Sequence, residues 1–120
     1  MSSLPLKRSL EYKSRVKVYA RGLANRYRTE IADVFLDDII SAEKRIGDNN
    51  NVGTDAPYVL LDKNVILKEF YFKSGPVGYC IIYDILDKYV GLVSLWHGIG
   101  QRGSDSLSRI WRRGDWPVEK

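Results

Sequence analysis

The chain of 120 residues contains one cysteine, one histidine, one methionine and four prolines. One cysteine cannot close an internal disulfide, so a disulfide-stapled secreted scaffold is excluded. There is no Cys/His cluster with zinc spacing, no Gly-x-Gly-x-x-Gly, no Walker loop and no serine-nucleophile elbow. No apolar run approaches the roughly 18 residues that a membrane helix needs. The opening Met1-Ser-Ser-Leu-Pro-Leu-Lys-Arg8 lacks the apolar core of a signal peptide. Ten glycines and four prolines follow no period, which excludes collagen-like and low-complexity classes. The expectation is a cytoplasmic protein with no membrane association, no metal and no cofactor.

What is present argues for a packed core. Hydrophobic residues make up 44% of the chain, and three Trp, eight Tyr and three Phe are too many for a disordered segment. The length suits one domain and not two. We read a domain over residues 1–103 and a basic tail over 104–120, which could form a short helix on Leu107, Ile110 and Trp111.

The net charge of +4 hides a split. Residues 1–30 carry eight basic side chains against two acidic ones, and residues 31–62 carry two against seven. Residues 101–120 carry five against three. The basic segments suit an anionic partner, either nucleic acid or an acidic protein segment. For the first segment an alternative stands beside this: the basic helix simply lies against the acidic one in a hairpin.

Leu6 to Tyr12 reads as a short first strand. From Ser14, Val16, Tyr19, Ala20, Leu23 and Tyr27 recur at helical spacing. Thr29 is placed to cap a second helix, whose apolar stripe is Ile31, Val34, Phe35, Ile39, Ala42 and Ile46, with Gly47 as its stop. Asp48 to Asp55 is a polar loop, and Tyr58-Val-Leu-Leu61 a short extended piece. Three strands follow: Val65–Phe72, Tyr79–Leu86 and Val90–Trp96, the last two joined at Asp87-Lys88. The expected fold is α+β: an N-terminal strand, a two-helix antiparallel hairpin, then a three-stranded antiparallel meander, with the helices on one sheet face.

The segment Gly78-Tyr-Cys-Ile-Ile-Tyr-Asp-Ile85, the tight turn, Val90-Gly-Leu-Val-Ser-Leu95 and Trp96-His-Gly-Ile-Gly-Gln-Arg102 together resemble the signature of RelE/ParE-type toxins. In that superfamily a Tyr-Arg-Ile-x-Tyr-like strand precedes a hairpin and a strand ending in His-Gly-x-Arg or a close relative. Phe35-Leu-Asp-Asp-Ile39 resembles its phenylalanine- and leucine-rich second helix. The resemblance covers roughly residues 7 to 102. It implies a growth-inhibiting toxin of a type II toxin–antitoxin pair, neutralised by a cognate antitoxin whose C-terminal segment wraps it. RelE-like members cut mRNA on the ribosome; ParE-like members poison DNA gyrase.

Metal-free RNA cleavage needs a base for the 2′-hydroxyl, an acid for the leaving 5′-oxygen and cations for the phosphorane charge. His97 ends the last strand where the resemblance puts an acid, and an unperturbed imidazole titrates near 6.5. Arg102, Lys68 and Lys73 are the candidate cations, and Glu69 the candidate base. Against the nuclease, the strand arginine of the family pattern is Cys80 here, and Asp84 shares its face. The residues lean toward a ParE-like toxin that acts by binding gyrase. Arg15, Arg21, Arg109, Arg112, Arg113 and Trp111 are then the candidate contacts for target, nucleic acid or antitoxin. The apolar Tyr58–Leu61 piece, with Ile110 and Trp111, is a candidate face for the partner to cover. The alternatives are the RelE-like endoribonuclease, with ribosome and mRNA as partners, and a non-catalytic nucleic-acid-binding domain.

Overall fold

The computed structural model describes residues 3–98 and 104–116. The elements run β1 (Leu6–Arg8), α1 (Leu10–Arg26), α2 (Thr29–Asp48), β2 (Thr54–Leu60), β3 (Lys63–Ser74), β4 (Val77–Ile85), β5 (Val90–His97) and α3 (Ser104–Arg112). The fold is α+β, with one mixed five-stranded sheet in the order β1-β5-β4-β3-β2. The β1 strand lies parallel to β5, and every other pairing is antiparallel. Among the described residues no helix is long and apolar enough to cross a membrane.

The expected meander is one strand too small. Thr54–Leu60 is not a loop with a short extended tail but a full edge strand, in register with β3 from Thr54↔Glu69 to Leu60↔Lys63. Pro57 is tolerated there because an edge strand leaves one row of N–H groups without ladder partners. The two-residue turn uses Leu61 and Asp62, both at positive φ (50° and 66°). Tight hairpins favour that geometry because it matches the strand twist, yet it normally recruits Asn-Gly.

The first strand is also shorter than expected, and α1 starts earlier. Ser9 decides this: its Oγ accepts from Tyr12 N (2.9 Å) and donates to Val93 O (2.6 Å). Asp115, from the far end of the chain, accepts from Leu10 N (2.9 Å) and Glu11 N (2.7 Å). Three amide groups at the start of α1 are thereby satisfied, and the carboxylate sits at the positive end of the helix dipole. At α2 the expected Thr29 cap is not formed. Thr29 is already helical, and Arg28 stands at the N-cap without a side-chain bond. Gly47 does not stop α2 either; Asn50 Nδ2 donates to Ile46 O (2.8 Å) just beyond the end at Asp48.

The central strand β4 is buried on both faces. Tyr79, Ile81 and Tyr83 join Tyr12, Phe35, Ile39, Ala42 and Ile46 under the hairpin. Cys80 and Ile82 join Tyr58, Leu60, Leu67, Val93, Leu107, Ile110 and Trp116 on the other side. Each fully buried Leu, Ile or Phe contributes roughly 1.5–3 kcal/mol. A bulge opposite Ile82/Tyr83 lets Leu92 and Leu95 face the hairpin while Val93 faces α3. So the hairpin packs on one face, and α3 packs on the other. Tyr58, Leu60 and Ile110 are covered by the chain itself, not left for a partner.

Two outcomes follow for stability. Asp115→Ala leaves two helix-end amides without their acceptor and should cost about 1–2 kcal/mol in urea unfolding; an unchanged midpoint would contradict the cap. Asp62→Gly relieves a left-handed backbone and should raise stability by about 1 kcal/mol; a loss would mean that the Asp62 side chain does more than occupy the turn.

Candidate functional site

The hairpin does not close completely over its sheet face. Two adjoining hollows of about 300 and 340 Å³ run from the α1–α2 turn and the β3–β4 turn to the end of β5, sharing Leu23, Tyr27, Val77 and Tyr79. Ile31, Val34 and Pro76 line one end; Val18, Tyr19, Arg26 and His97 line the other. Val34 is 51% exposed and Tyr27 is 61% exposed. The helical spacing places Ile31, Val34 and Tyr27 on core stripes. The start of α2 leaves them only part-covered, so they become groove wall.

His97 ends β5 opposite Tyr79 and is solvent-exposed. Its ring lies 5.5 Å from that of Tyr79 and 6.0 Å from that of Tyr19. Tyr79 in turn contacts Phe35 (4.9 Å) and stacks on Phe72 (5.6 Å). Burial, and next the neighbouring Tyr19, push the Tyr79 hydroxyl above its ordinary value, so it stays a neutral phenol. Gly98 follows at φ 76° and donates to Gly78 O (2.7 Å).

The other members of the proposed cleavage set do not gather around His97. Lys68 faces the hairpin side but stands opposite Tyr83, four residues from Tyr79 and so roughly 13 Å along the strand. It pairs with Asp55 (2.6 Å). Glu69 points to the other face, where Tyr58 and Tyr71 both donate to its carboxylate (Tyr71 at 2.6 Å). Lys73 is exposed near the β3–β4 turn, on the face opposite Phe72. Arg102 lies outside the described residues. Among the described residues no group of three His, Cys, Asp or Glu side chains could hold a metal ion.

Three of the candidate contact arginines do come together. Arg15, Arg109 and Arg113 line a polar hollow of about 310 Å³ with Glu11, Ser106 and Ile110. Arg15 donates to Glu11 (2.7 Å) and to the Tyr19 hydroxyl (3.1 Å), and its guanidinium lies 4.1 Å from the centre of the Trp96 ring. Arg113 donates to the other Glu11 oxygen (3.2 Å), and Arg109 to Ser106 Oγ (3.3 Å). Trp111 packs its ring 5.3 Å from that of Trp116. Arg21 and Arg112 are exposed and stand apart from this hollow.

Sequence reasoning passed over Val18, Tyr27 and Arg26 as site residues. Val18 sits off the apolar stripe of α1, and an apolar side chain on the polar side was the available signal.

Burial raises the Glu11 carboxyl, but the hydrogen bonds and charges of Arg15 and Arg113 outweigh it and hold it below its ordinary 4.5. An acid whose folded value is depressed stabilises the fold above its unfolded value, and that contribution is lost as pH falls through the folded one. Glu11→Gln should therefore be less stable than the wild type at neutral pH and converge with it below the ordinary carboxylate range. A constant gap in melting temperature across acid pH would contradict the pairing.

A comparison with models of known protein families finds no match, and none of the curated proteins matches the chain.

Proposed function

We propose that this chain is a RelE/ParE-like toxin of a type II toxin–antitoxin pair, and that it inhibits bacterial growth by binding DNA gyrase. The observation that carries the choice of binding over cleavage is Cys80. In the pattern it resembles, that position bears a cation for phosphate. Here it is fully buried beneath α3, among Ile82, Leu107 and Ile110. Four residues on, Asp84 lies on the same face and accepts from Trp116 Nε1 (3.2 Å). Burial pushes its carboxyl above the ordinary carboxylate value. A phosphate has no access there and no partner.

The spread of Lys68 and Glu69 over both faces of the middle of β3, with Lys73 near its far end, supports the same reading. So does the apolar groove, which suits a protein segment better than a polyanion. In this reading the antitoxin lays apolar side chains on Leu23, Ile31 and Val34, with carboxylates toward Arg26. The element order, with the hairpin between the first strand and the antiparallel strands, accords with the arrangement that the resemblance implies.

One observation favours a second reading, mRNA cleavage on the ribosome. The exposed His97 shares its end of the groove with Tyr19, Tyr79 and Arg26, a set that could move a proton near a phosphate.

Induced expression in bacteria, with growth and mRNA integrity followed together, tests both. The proposal predicts growth arrest, filamentation and intact mRNA, with His97→Ala as toxic as the wild type. Arrest with fragmented mRNA that disappears in His97→Ala would replace gyrase binding by cleavage. Unimpaired growth would overturn the toxin reading.

A further inference from the structure

The outer side of the hairpin, away from the sheet, carries charge that the chain itself does not match. Lys13, Lys17 and Arg21 form an exposed row on α1, and Asp33 and Asp37 an exposed row on α2. Among the described residues no ion pair joins α1 to α2. A basic helix and an acidic helix lie side by side, and their charges point outward instead of across.

Between the two rows runs an apolar hollow of about 400 Å³, walled by Val16, Leu36 and Ile40 and edged by Lys13 and Lys17. Ile40 is 63% exposed. The helical spacing is consistent with this layout: Leu36 and Ile40 are four apart, as are Asp33 and Asp37, and as are Lys13, Lys17 and Arg21.

Tyr12 donates to Glu43 (2.6 Å), which fixes one level on both helices. At 1.5 Å per residue, Lys17 stands roughly 7.5 Å above that level and Asp37 roughly 9 Å. Arg21 stands roughly 13.5 Å above it and Asp33 roughly 15 Å. Lys17 and Arg21 are thus each level with one carboxylate, to about one residue.

We propose that this face is a two-fold interface with a second copy of the chain. A two-fold axis parallel to the helices keeps every level and lays α1 of one copy over α2 of the other. Lys17 then meets the second copy's Asp37, Arg21 meets its Asp33, and Leu36 and Ile40 of both copies close the apolar hollows. The Lys17–Arg21 stretch of one helix and the Asp33–Asp37 stretch of the other are complementary in register, as an isologous interface requires. A foreign partner would have to reproduce both rows and their spacing. The hairpin offers a footprint of roughly 25 by 20 Å, at the low end for a specific interface. The dimer is therefore weak, reversible and sensitive to salt. This surface lies apart from the groove and does not depend on the toxin reading.

Sedimentation equilibrium of the full chain across micromolar concentrations tests it, with circular-dichroism melts to show that each variant folds. Wild type should approach twice the monomer mass at low salt and fall back toward it at high salt. Lys17→Glu and Asp37→Lys, each alone, bring like charges together twice in their own homodimers and should weaken association at least tenfold. An equimolar mixture of the two variants restores two opposite-charge contacts and should dimerise as the wild type does. Wild type that stays monomeric at low salt would overturn the proposal. So would single variants that dimerise normally, which would place any association elsewhere, or a mixture that stays monomeric.

Discussion

Ser9 and Asp115 together hold the start of α1, and the arrangement of the molecule follows from that grip. The β1 strand is three residues long and covers only the first part of β5. Beyond it, α1 itself closes the sheet edge. Ser9 N donates to Leu92 O (3.0 Å), Ser9 Oγ to Val93 O, and the Tyr19 hydroxyl reaches toward Leu95 O (3.5 Å). An edge left open there would expose carbonyls to any passing strand. Because Asp115 comes from the segment after α3, the same contact ties the layer on one face of the sheet to the layer on the other. The groove, the arginine hollow and the charged outer face all take their positions from this placement of α1.

Buried polar groups do the remaining fixing. Glu43 is nearly buried and accepts from the Tyr12 hydroxyl and from Arg8, whose Nε lies 3.2 Å from Oε2. Hydrogen bonding to Glu43 raises the Arg8 guanidinium further above its ordinary value. Burial, and next the Glu43 charge, keep the Tyr12 hydroxyl protonated. Three elements, β1, α1 and α2, meet at this one carboxylate. Tyr83 plays a similar part for the loop after α2, donating to Asn50 O (2.8 Å) and accepting from Gly53 N (2.9 Å). A Cβ at Gly53 would stand 2.7 Å from that hydroxyl, so only glycine fits. What reads as a polar loop of three asparagines is pinned to the sheet.

Much of this was legible in the residues. The apolar stripes of both helices, the two-faced burial of Tyr79 to Tyr83 and the amphipathic α3 all follow from periodicity. The helix ends and β2 were not legible, for separate reasons. The α1 cap is half supplied by Asp115, which no local pattern reveals. The β2 strand begins Thr-Asp-Ala-Pro and turns on Leu-Asp, so neither its composition nor its turn carries the usual signal. The candidate site was legible only in part. His97 and the arginines of the tail are conspicuous by residue type. The groove is made by Tyr27, Ile31 and Val34, which have the right spacing for the core and lie on it incompletely. That Lys68 and Glu69 look outward from opposite faces follows from strand alternation. That position 80 is roofed by α3 does not, because nothing in the tail says which face it covers.

The proposed action is binding without RNA chemistry. The most direct test is to give the purified protein two substrates: gyrase with relaxed plasmid, and ribosomes engaged on a defined mRNA. The predicted result is inhibited supercoiling by gyrase, with broken DNA accumulating on the enzyme, while the mRNA stays whole. Cleavage of the mRNA on the ribosome, with gyrase unaffected, would contradict it.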